Sequence, residues 1–571
     1  MEKKWIYKPI PPSSEVEALA KAINVEPTLA LLLGQRGIET FEGAKSFFRP
    51  NLSELHDPFL MKGMKEAVSR IENAMASKEK ILIYGDYDVD GTTAVALVYG
   101  FLQGYYNHLD YYIPNRHKEG YGISKIAIDW AKEEGFTLIV ALDCGIKSVE
   151  LVQYAQDLGI DFIICDHHLP GDIIPPAFAV LDPKQEDCPY PFKHLSGCGI
   201  GFKVVQAFCE QNQIEPNRLY EYMDLVVVSI AADIVPMVGE NRVLAYHGLQ
   251  KLNHTPRVGL KALIQAAGIK DDLSLDIRNL VFSIGPRINA VGRMKHAKEA
   301  VELLISHEKS KADDFAKIID QINEQRREVD VVSTQEAIEM IQTSQEDGLF
   351  LNSTVLFKED WHKGVLGIIA ARCIENYYRP TIILSQDEDG LLVGSARSAG
   401  GFNLYKALES CADLLLRYGG HQQAAGLTLP RGNLDAFRLR FEEKVSEMIQ
   451  DTQLVPTIEV DLKIRLSQIT SKFFRILKQF APFGPENMRP VFVTENLTAE
   501  YPRVLREKHL SFQVKQEGSP LTFRVIAFGM AHFYHSLVEA KTVDVCYSIE
   551  ENLYQGRNYL QLRVRDLKFN E

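Results

Sequence analysis

The chain has no Cys-x-x-Cys pair among its eight cysteines. Cys188, Cys198 and Cys209 stand too far apart for a zinc motif, so the cysteines are expected to be reduced and structural. No apolar run is long enough to span a bilayer. Behind Met1, Glu2, Lys3, Lys4 and Trp5 there is no apolar signal core. The expectation is a cytoplasmic protein with no membrane role. Positive charge is not in excess either: the formal net charge is −13, which argues against coating nucleic acid by bulk charge. A local site, where cations or Arg and Lys patches hold phosphates, stays open. What is present is an ordinary globular composition, 46% hydrophobic and 24% charged, in 571 residues, enough for several domains.

One stretch organises the rest. Residues 81–83 are an apolar run that predicts a buried strand. Three alternate carboxylates follow, Asp86, Asp88 and Asp90, before Gly91 and Thr92 open an apolar helical pattern over 94–102. Alternate residues of an extended segment point the same way, so the three carboxylates converge just past one strand. Like charges about 4 Å apart repel by roughly 4 kcal/mol at an effective dielectric of 20. Such a group calls for protons, arginines or a metal ion, unless it is a solvated acidic turn. Two further strand patterns end alike, 136–142 before Asp143 and 160–165 before Asp166, His167 and His168. A fourth apolar run, 225–232, ends in Asp233. In an open parallel sheet, ligands gather beyond the carboxyl ends of the strands. Carboxylates with imidazoles suit a divalent ion, manganese especially, and also magnesium. For Asp143 the alternative is the N-cap of a helix at 148–158.

Residues 1–75 predict short helices at 28–37, 40–48 and 64–75, an extra layer packed on the next domain. From 76 to 250, strands alternate with helices, which predicts a parallel sheet with helices on both faces. Arg116 and His117 close a strand-end loop, where they meet phosphate or solvent. Residues 196–201, with three glycines, are similar to a loop that cradles phosphate before a helix, although tight helix entries share the pattern. Residues 240–350 are mostly helical, interrupted by a Gly/Pro-bounded loop at 285–293. Its Arg287, Asn289 and Arg293 fit phosphate contacts or surface salt bridges. Residues 299–346 read as one long charged helix joining two lobes. Residues 351–448 are a second α/β unit, with Arg397 after a strand and His421 in a glycine-bounded loop at 418–426. Both are types that clamp a phosphate opposite a metal, and a lone loop histidine also serves structure. Residues 456–571 show six short strand patterns, a small barrel. Arg503, Arg506, Lys508, Tyr554, Arg557 and Tyr559 give it the aromatic-plus-basic mix used on single strands, a mix that ordinary barrels also carry.

The spaced aspartates, the lone strand-end Asp143 and the triplet Asp166, His167, His168 resemble the DHH phosphoesterases. The longer form at 84–91 is similar to the RecJ exonucleases within that family, as are the 285–290 and 481–485 motifs. The likeness covers nearly the whole chain. It implies an N-terminal lead-in at 1–75, a DHH phosphoesterase domain at 76–298, a helical connector at 299–350, a DHH-associated substrate-binding domain at 351–448, and an OB-like nucleic-acid-binding domain at 456–571. The implied fold is two α/β lobes joined by a long helix, plus a C-terminal all-β OB-like barrel. The implied activity is that of a single-stranded-DNA-specific 5′-to-3′ exodeoxyribonuclease of DNA repair and recombination, using two Mn2+ or Mg2+ ions. Asp88, Asp90, Asp143, His167 and Asp233 match the family's metal positions, with Asp143 bridging two ions and catalytic. Asp86 belongs to the longer form and joins the metal set, whereas many relatives place a histidine nearer Tyr84. His168 matches the residue facing the scissile phosphate. Arg287, Asn289, Arg397 and His421 match substrate-binding positions, which Arg116 and Arg293 extend. Implied partners are single-stranded DNA, a single-strand-binding protein and a repair helicase. Two rival readings remain. A phosphodiesterase for cyclic dinucleotides, very short RNA or pyrophosphate would not need the terminal barrel. A non-catalytic DNA-binding scaffold would not need all five matched ligands.

Overall fold

The computed structural model describes residues 2–116, 118–270, 273–346, 352–554 and 557–570. His117 and the side chains of Tyr554 and Arg557 lie outside the described set. The chain forms two compact units, 45–325 with 479–488, and 1–44 with 326–478 and 489–571.

The first unit is built on five parallel strands, in the spatial order Leu109–Tyr112, Lys80–Gly85, Phe136–Leu142, Asp161–Cys165 and Ala179–Leu181. Alternate side chains feed two cores. Ile81, Ile83, Leu138, Val140, Leu142 and Ile163 pack among residues of helices Met64–Ala76, Val89–Leu102, Gly197–Gln211 and Met223–Ala232. Leu82, Tyr84, Ile139, Ala141, Phe162 and Ile164 pack with helices Lys125–Glu133 and Val149–Asp157. Burial on both faces is why these strands read as unbroken apolar runs. The chain adds Leu109–Tyr112 on one side of Lys80–Gly85, then returns to add Phe136–Leu142 on the other. Such a reversal opens a crevice at the carboxyl ends of the two central strands. Asp86 and Asp143 follow those two ends.

Several elements differ from expectation. The apolar run at 225–232 is the helix Met223–Ala232, buried nearly all round; apolar neighbours on every side override the strand preference of Val226, Val227 and Val228. The 285–293 segment is helical too. A π-helical turn, Leu280–Ile284, runs into helix Gly285–Met294, and Pro286 sits in the first turn, where a missing N–H is tolerated. The long charged helix is two, Lys298–Ile305 and Lys309–Glu346. The lead-in is divided. Strand Lys4–Tyr7 pairs in parallel with Thr457–Val460, and Trp5 Nε1 donates to Asp566 at 2.7 Å. Helix Met64–Ala76 instead packs into the core of the parallel sheet.

The second unit holds a mixed five-stranded sheet, ordered Arg417–Gly420, Ala424–Pro430, Leu391–Arg397, Thr381–Gln386 and Thr354–Phe357. The glycine-bounded segment at 418–426 is therefore a hairpin. In the C-terminal region Phe492–Leu505, His509–Gln516, Thr522–Ala527, Arg557–Asn570 and Thr542–Tyr554 pair in turn, and the last pairs back on the first. That closure makes a five-stranded barrel without free edges, accompanied by helices Ser471–Lys478 and Tyr534–Glu539. Among the described residues, no helix is long and apolar enough to cross a membrane.

Candidate metal centre

The helix after the first central strand begins earlier than its apolar pattern suggests. Asp88 is its N-cap and accepts from the Gly91 N–H at 3.1 Å. Asp90 lies in the first turn and reaches a neighbouring helix. Its carboxylate accepts from the N–H groups of Gly197 and Cys198, at 2.6 and 2.7 Å, and from the Ser229 hydroxyl at 2.7 Å. Ser196 caps that same helix and shares a 2.6 Å hydrogen bond with Ser229. The glycine-rich helix entry does hold an anion, and the anion is the protein's own carboxylate.

Asp143 follows its strand with φ 61°, a left-handed conformation that Asp and Asn tolerate better than most residues. Gly197 packs against it: a Cβ there would stand 2.6 Å from Asp143 Cβ and 2.9 Å from its Cα. Asp143 does not cap the following helix, whose N-cap is Ser148. Asp233 ends helix Met223–Ala232 as its C-cap. His167 Nε2 gathers the set, 3.1 Å from Asp143 Oδ1 and 3.7 Å from both Asp90 Oδ2 and Asp233 Oδ2. Among the described residues, ligand atoms fall into three groups, each within 4.8 Å: Asp90 with His167 and Asp233, Asp86 with Asp88 and Asp143, and Asp143 with His167 and His168.

Burial first, then the neighbouring carboxylates, raises the pKa of Asp86, Asp88 and Asp143. The same causes push Asp233 up to about 8. Burial lowers the pKa of His167 against the pull of Asp90, which leaves its ring neutral, the form that ligates metals. Oδ1 of Asp86, Oδ1 of Asp143 and Nε2 of His167 are buried without a hydrogen-bond partner. Orphaned lone pairs on carboxylates and a neutral imidazole fit a divalent cation, which would satisfy the acceptors and offset their repulsion.

His168 is turned by Asp166, whose Oδ1 lies 2.7 Å from its Nδ1, while its Nε2 lies 3.1 Å from the Tyr121 hydroxyl. Beside the carboxylates is a cavity of about 200 Å³, bounded by Asp86 and Asp88, by Tyr87 and Tyr121, and by Arg116, Asn289 and Arg293. The Arg116 guanidinium lies 5.0 Å from the Tyr87 ring centre. Asn289 Oδ1 accepts from the Val89 N–H at 3.2 Å and so also braces the turn carrying Asp88 and Asp90. Arg287 is absent from the cavity wall; its Nε donates to Asp320 at 2.8 Å. In the other unit, Arg397 ends its strand with Nη1 on Ser395 Oγ and the Ala396 carbonyl. The Ser398 N–H donates to the Gln423 carbonyl, which sets Arg397 next to the turn that carries the exposed His421.

Ser196, Ser229 and the orienting role of Asp166 were not singled out from the sequence. Ser229 had one signal, a hydroxyl in an otherwise apolar run.

Residues 80–230 match the model of the DHH family, N-terminal domain, 348–447 that of the DHHA1 domain, and 460–566 that of the RecJ OB domain. The single-stranded-DNA-specific exonuclease RecJ of Bacillus subtilis (strain 168) is 37% identical over 564 residues, 98% of this chain and 70% of that protein. RecJ of Thermus thermophilus in complex with Mn2+ superposes with a TM-score of 0.85 at 27% identity, over 100% of this chain and 80% of that one. The same protein with Mg2+ gives a TM-score of 0.79 at 26% identity, over 100% and 79%. With the identity running nearly end to end and three domain types in sequence, the chain belongs to the RecJ family of DHH phosphoesterases.

Proposed function

We propose that this protein removes nucleotides from single-stranded DNA in the 5′-to-3′ direction, by hydrolysis at a centre of two Mn2+ or Mg2+ ions held by Asp86, Asp88, Asp90, Asp143, His167 and Asp233. The observation that carries this reading is the set of orphaned, buried ligand atoms on Asp86, Asp143 and His167, placed at the sheet's switch point. Divalent ions there would supply Lewis acidity, activating water and offsetting charge on the phosphate oxygens. The chain's own groups do the rest. Gly197, Cys198 and Ser229 fix Asp90 so that it cannot swing away from the cluster. His168, kept protonated by Asp166, presents an Nε2 donor to a phosphate oxygen. Arg116, Arg293 and Asn289 line the space where phosphates would lie. Arg287, Arg397 and His421 are further substrate contacts in this reading, and the barrel is a binding surface for single-stranded DNA. A single-strand-binding protein and a repair helicase are the partners of this activity. A cytoplasmic place suits it, since all eight cysteines are free and buried.

The test is an assay of purified protein on end-labelled single strands, duplexes and cyclic dinucleotides, with Mn2+ and then with excess chelator. Products should appear from the 5′ end of single strands alone, and only with metal. Full activity in chelator would end the two-ion reading, and preference for cyclic dinucleotides would replace the DNA substrate.

A further inference from the structure

The segment 479–488 is flanked on both sides by residues of the other unit, yet it belongs to the unit that carries the metal centre. Its hold there combines the buried Phe480 ring, packed edge-on against Phe47 and Phe48, with hydrogen bonds to its backbone carbonyls. Arg242 donates to the carbonyls of Phe480, Ala481 and Pro482, at 3.0, 3.1 and 3.2 Å, and with two more bonds to Phe47. The buried Asn487 amide closes the segment on itself, donating to the carbonyls of Phe480 and Pro482 at 2.8 Å each. The middle of this strap meets the loop that follows Asp233. The Met237 N–H donates to the Pro485 carbonyl at 2.8 Å, and Gly484 packs on the buried Met237 side chain.

That loop needs holding. Ile234, directly after Asp233, has φ 57°, a left-handed conformation that is a true outlier for a β-branched residue. Strain of this kind persists where the surroundings over-determine it. Here the restraints are Asn241, which donates to the Pro236 carbonyl at 3.0 Å, and the strap, which holds Met237. Asp233 in turn stands 3.7 Å from His167 Nε2. We infer that the 479–488 strap is a positioning element for the metal centre: by pinning Met237 it fixes the strained turn at Ile234 and keeps Asp233 in ligating position. The inference rests on Asp233 being a metal ligand, as proposed above.

Gly484 gives a direct test. A Cβ at this position would stand 3.1 Å from both Met237 Cβ and Cε, so a larger side chain pushes on the pinned residue without touching the carboxylates. Mn2+ binding to full-length protein is measured by the electron paramagnetic resonance of the free ion, with no DNA present, and thermal melting is measured in chelator. Gly484→Val should weaken Mn2+ binding about tenfold, the effect typical of losing an outer support of a metal ligand. Gly484→Ala should weaken it less, and remains the test if the valine variant does not fold. Adding Met237→Ala to Gly484→Val removes Cε, one of the two crowding atoms, and should recover part of the lost affinity. A merely structural strap would lower the melting temperature and leave Mn2+ affinity at wild-type strength in the folded protein; that result in both variants overturns the proposal. A wild-type protein that binds no Mn2+ overturns the metal reading and this inference with it.

Discussion

Asp166 Oδ1 lies 2.7 Å from His168 Nδ1 while also accepting the N–H groups of His167, at 2.7 Å, and His168, at 3.1 Å. Its Oδ2 accepts from Ile146 at 2.9 Å. One buried carboxylate therefore sets both the backbone turn and the ring orientation of the histidine pair. Burial works against a charged His168 ring, but the bond and charge of Asp166 prevail and raise its pKa to about 9. The same contact overcomes the burial of Asp166 and holds its pKa at about 2.

The first prediction is a pH profile. If protonated His168 is the donor, hydrolysis with Mg2+ holds up to about pH 9 and declines above it. In Asp166→Asn the ring loses the carboxylate's charge, burial weighs more, and the alkaline limb moves to lower pH. Stability follows the same pair, counted once. For His168 the contribution is complete below pH 6.5 and disappears as pH rises through about 9. For Asp166 it is present above pH 3.8 and disappears as pH falls through about 2. Rate profiles of both proteins decide the matter, and an alkaline limb unmoved by the substitution would discard His168 as the donor.

Asp143→Asn separates ligation from folding. Asparagine accepts the left-handed backbone at φ 61°, and it removes one charge from a crowded set of carboxylates. Melting in chelator should be at or above the wild-type temperature. Hydrolysis with Mn2+ should fall at least about a thousandfold, roughly 4 kcal/mol of barrier. Near-normal hydrolysis would remove Asp143 from the centre.

Gly197→Ala tests the close packing beneath Asp143. The added carbon would stand 2.8 Å from Oδ1 of that residue and 2.6 Å from its Cβ, so one of the two must move. Overpacking of this kind costs about 1–3 kcal/mol. Melting should drop, and activity should fall about tenfold to a hundredfold as the ligand shifts. Gly432→Ala, with open space around its Cβ, serves as the control. Equal activity of the two variants would show that Asp143 is not held by this contact.

On the barrel, Tyr559 is half exposed on strand Arg557–Asn570. A base stacked on it would contribute about 1–3 kcal/mol. Tyr559→Ala should therefore weaken binding of long single strands about fivefold or more, while cleavage of a dinucleotide keeps its rate. Filter binding and a dinucleotide assay check both halves; an equal loss in both would make the barrel a structural support only.

The acid-tipped strands were legible because burial on both faces writes itself as an apolar run, and the polar residues that stop each run sit at the sheet's carboxyl edge. Asp86 and Asp143 could be placed on that logic alone. The same logic misplaced others. Asp233 ends a helix, since a helix buried all round leaves the same apolar signature as a buried strand. Asp90 reaches the cluster from a first helical turn rather than from an extended segment. Ser229 and Asn289 act through single hydrogen bonds to partners 139 and 200 residues away, and no local pattern encodes a contact of that range. Arg287 has the right type and neighbours for a phosphate contact, and the structure adds an ion pair with Asp320, 33 residues on, that no local pattern announces.

The strap at 479–488 has a consequence for the order in which the protein can be made. The ribosome completes residues 45–325 early, and then makes 326–478 before the strap appears. Until then Arg242 has no Phe480, Ala481 or Pro482 carbonyl to bind, and the Met237 N–H has no Pro485. A nascent chain therefore carries every one of the clustered carboxylates and histidines long before the turn after Asp233 can be locked. Maturation of the centre is tied to a late event in synthesis, and a chain truncated anywhere before the strap is left with an unfinished unit.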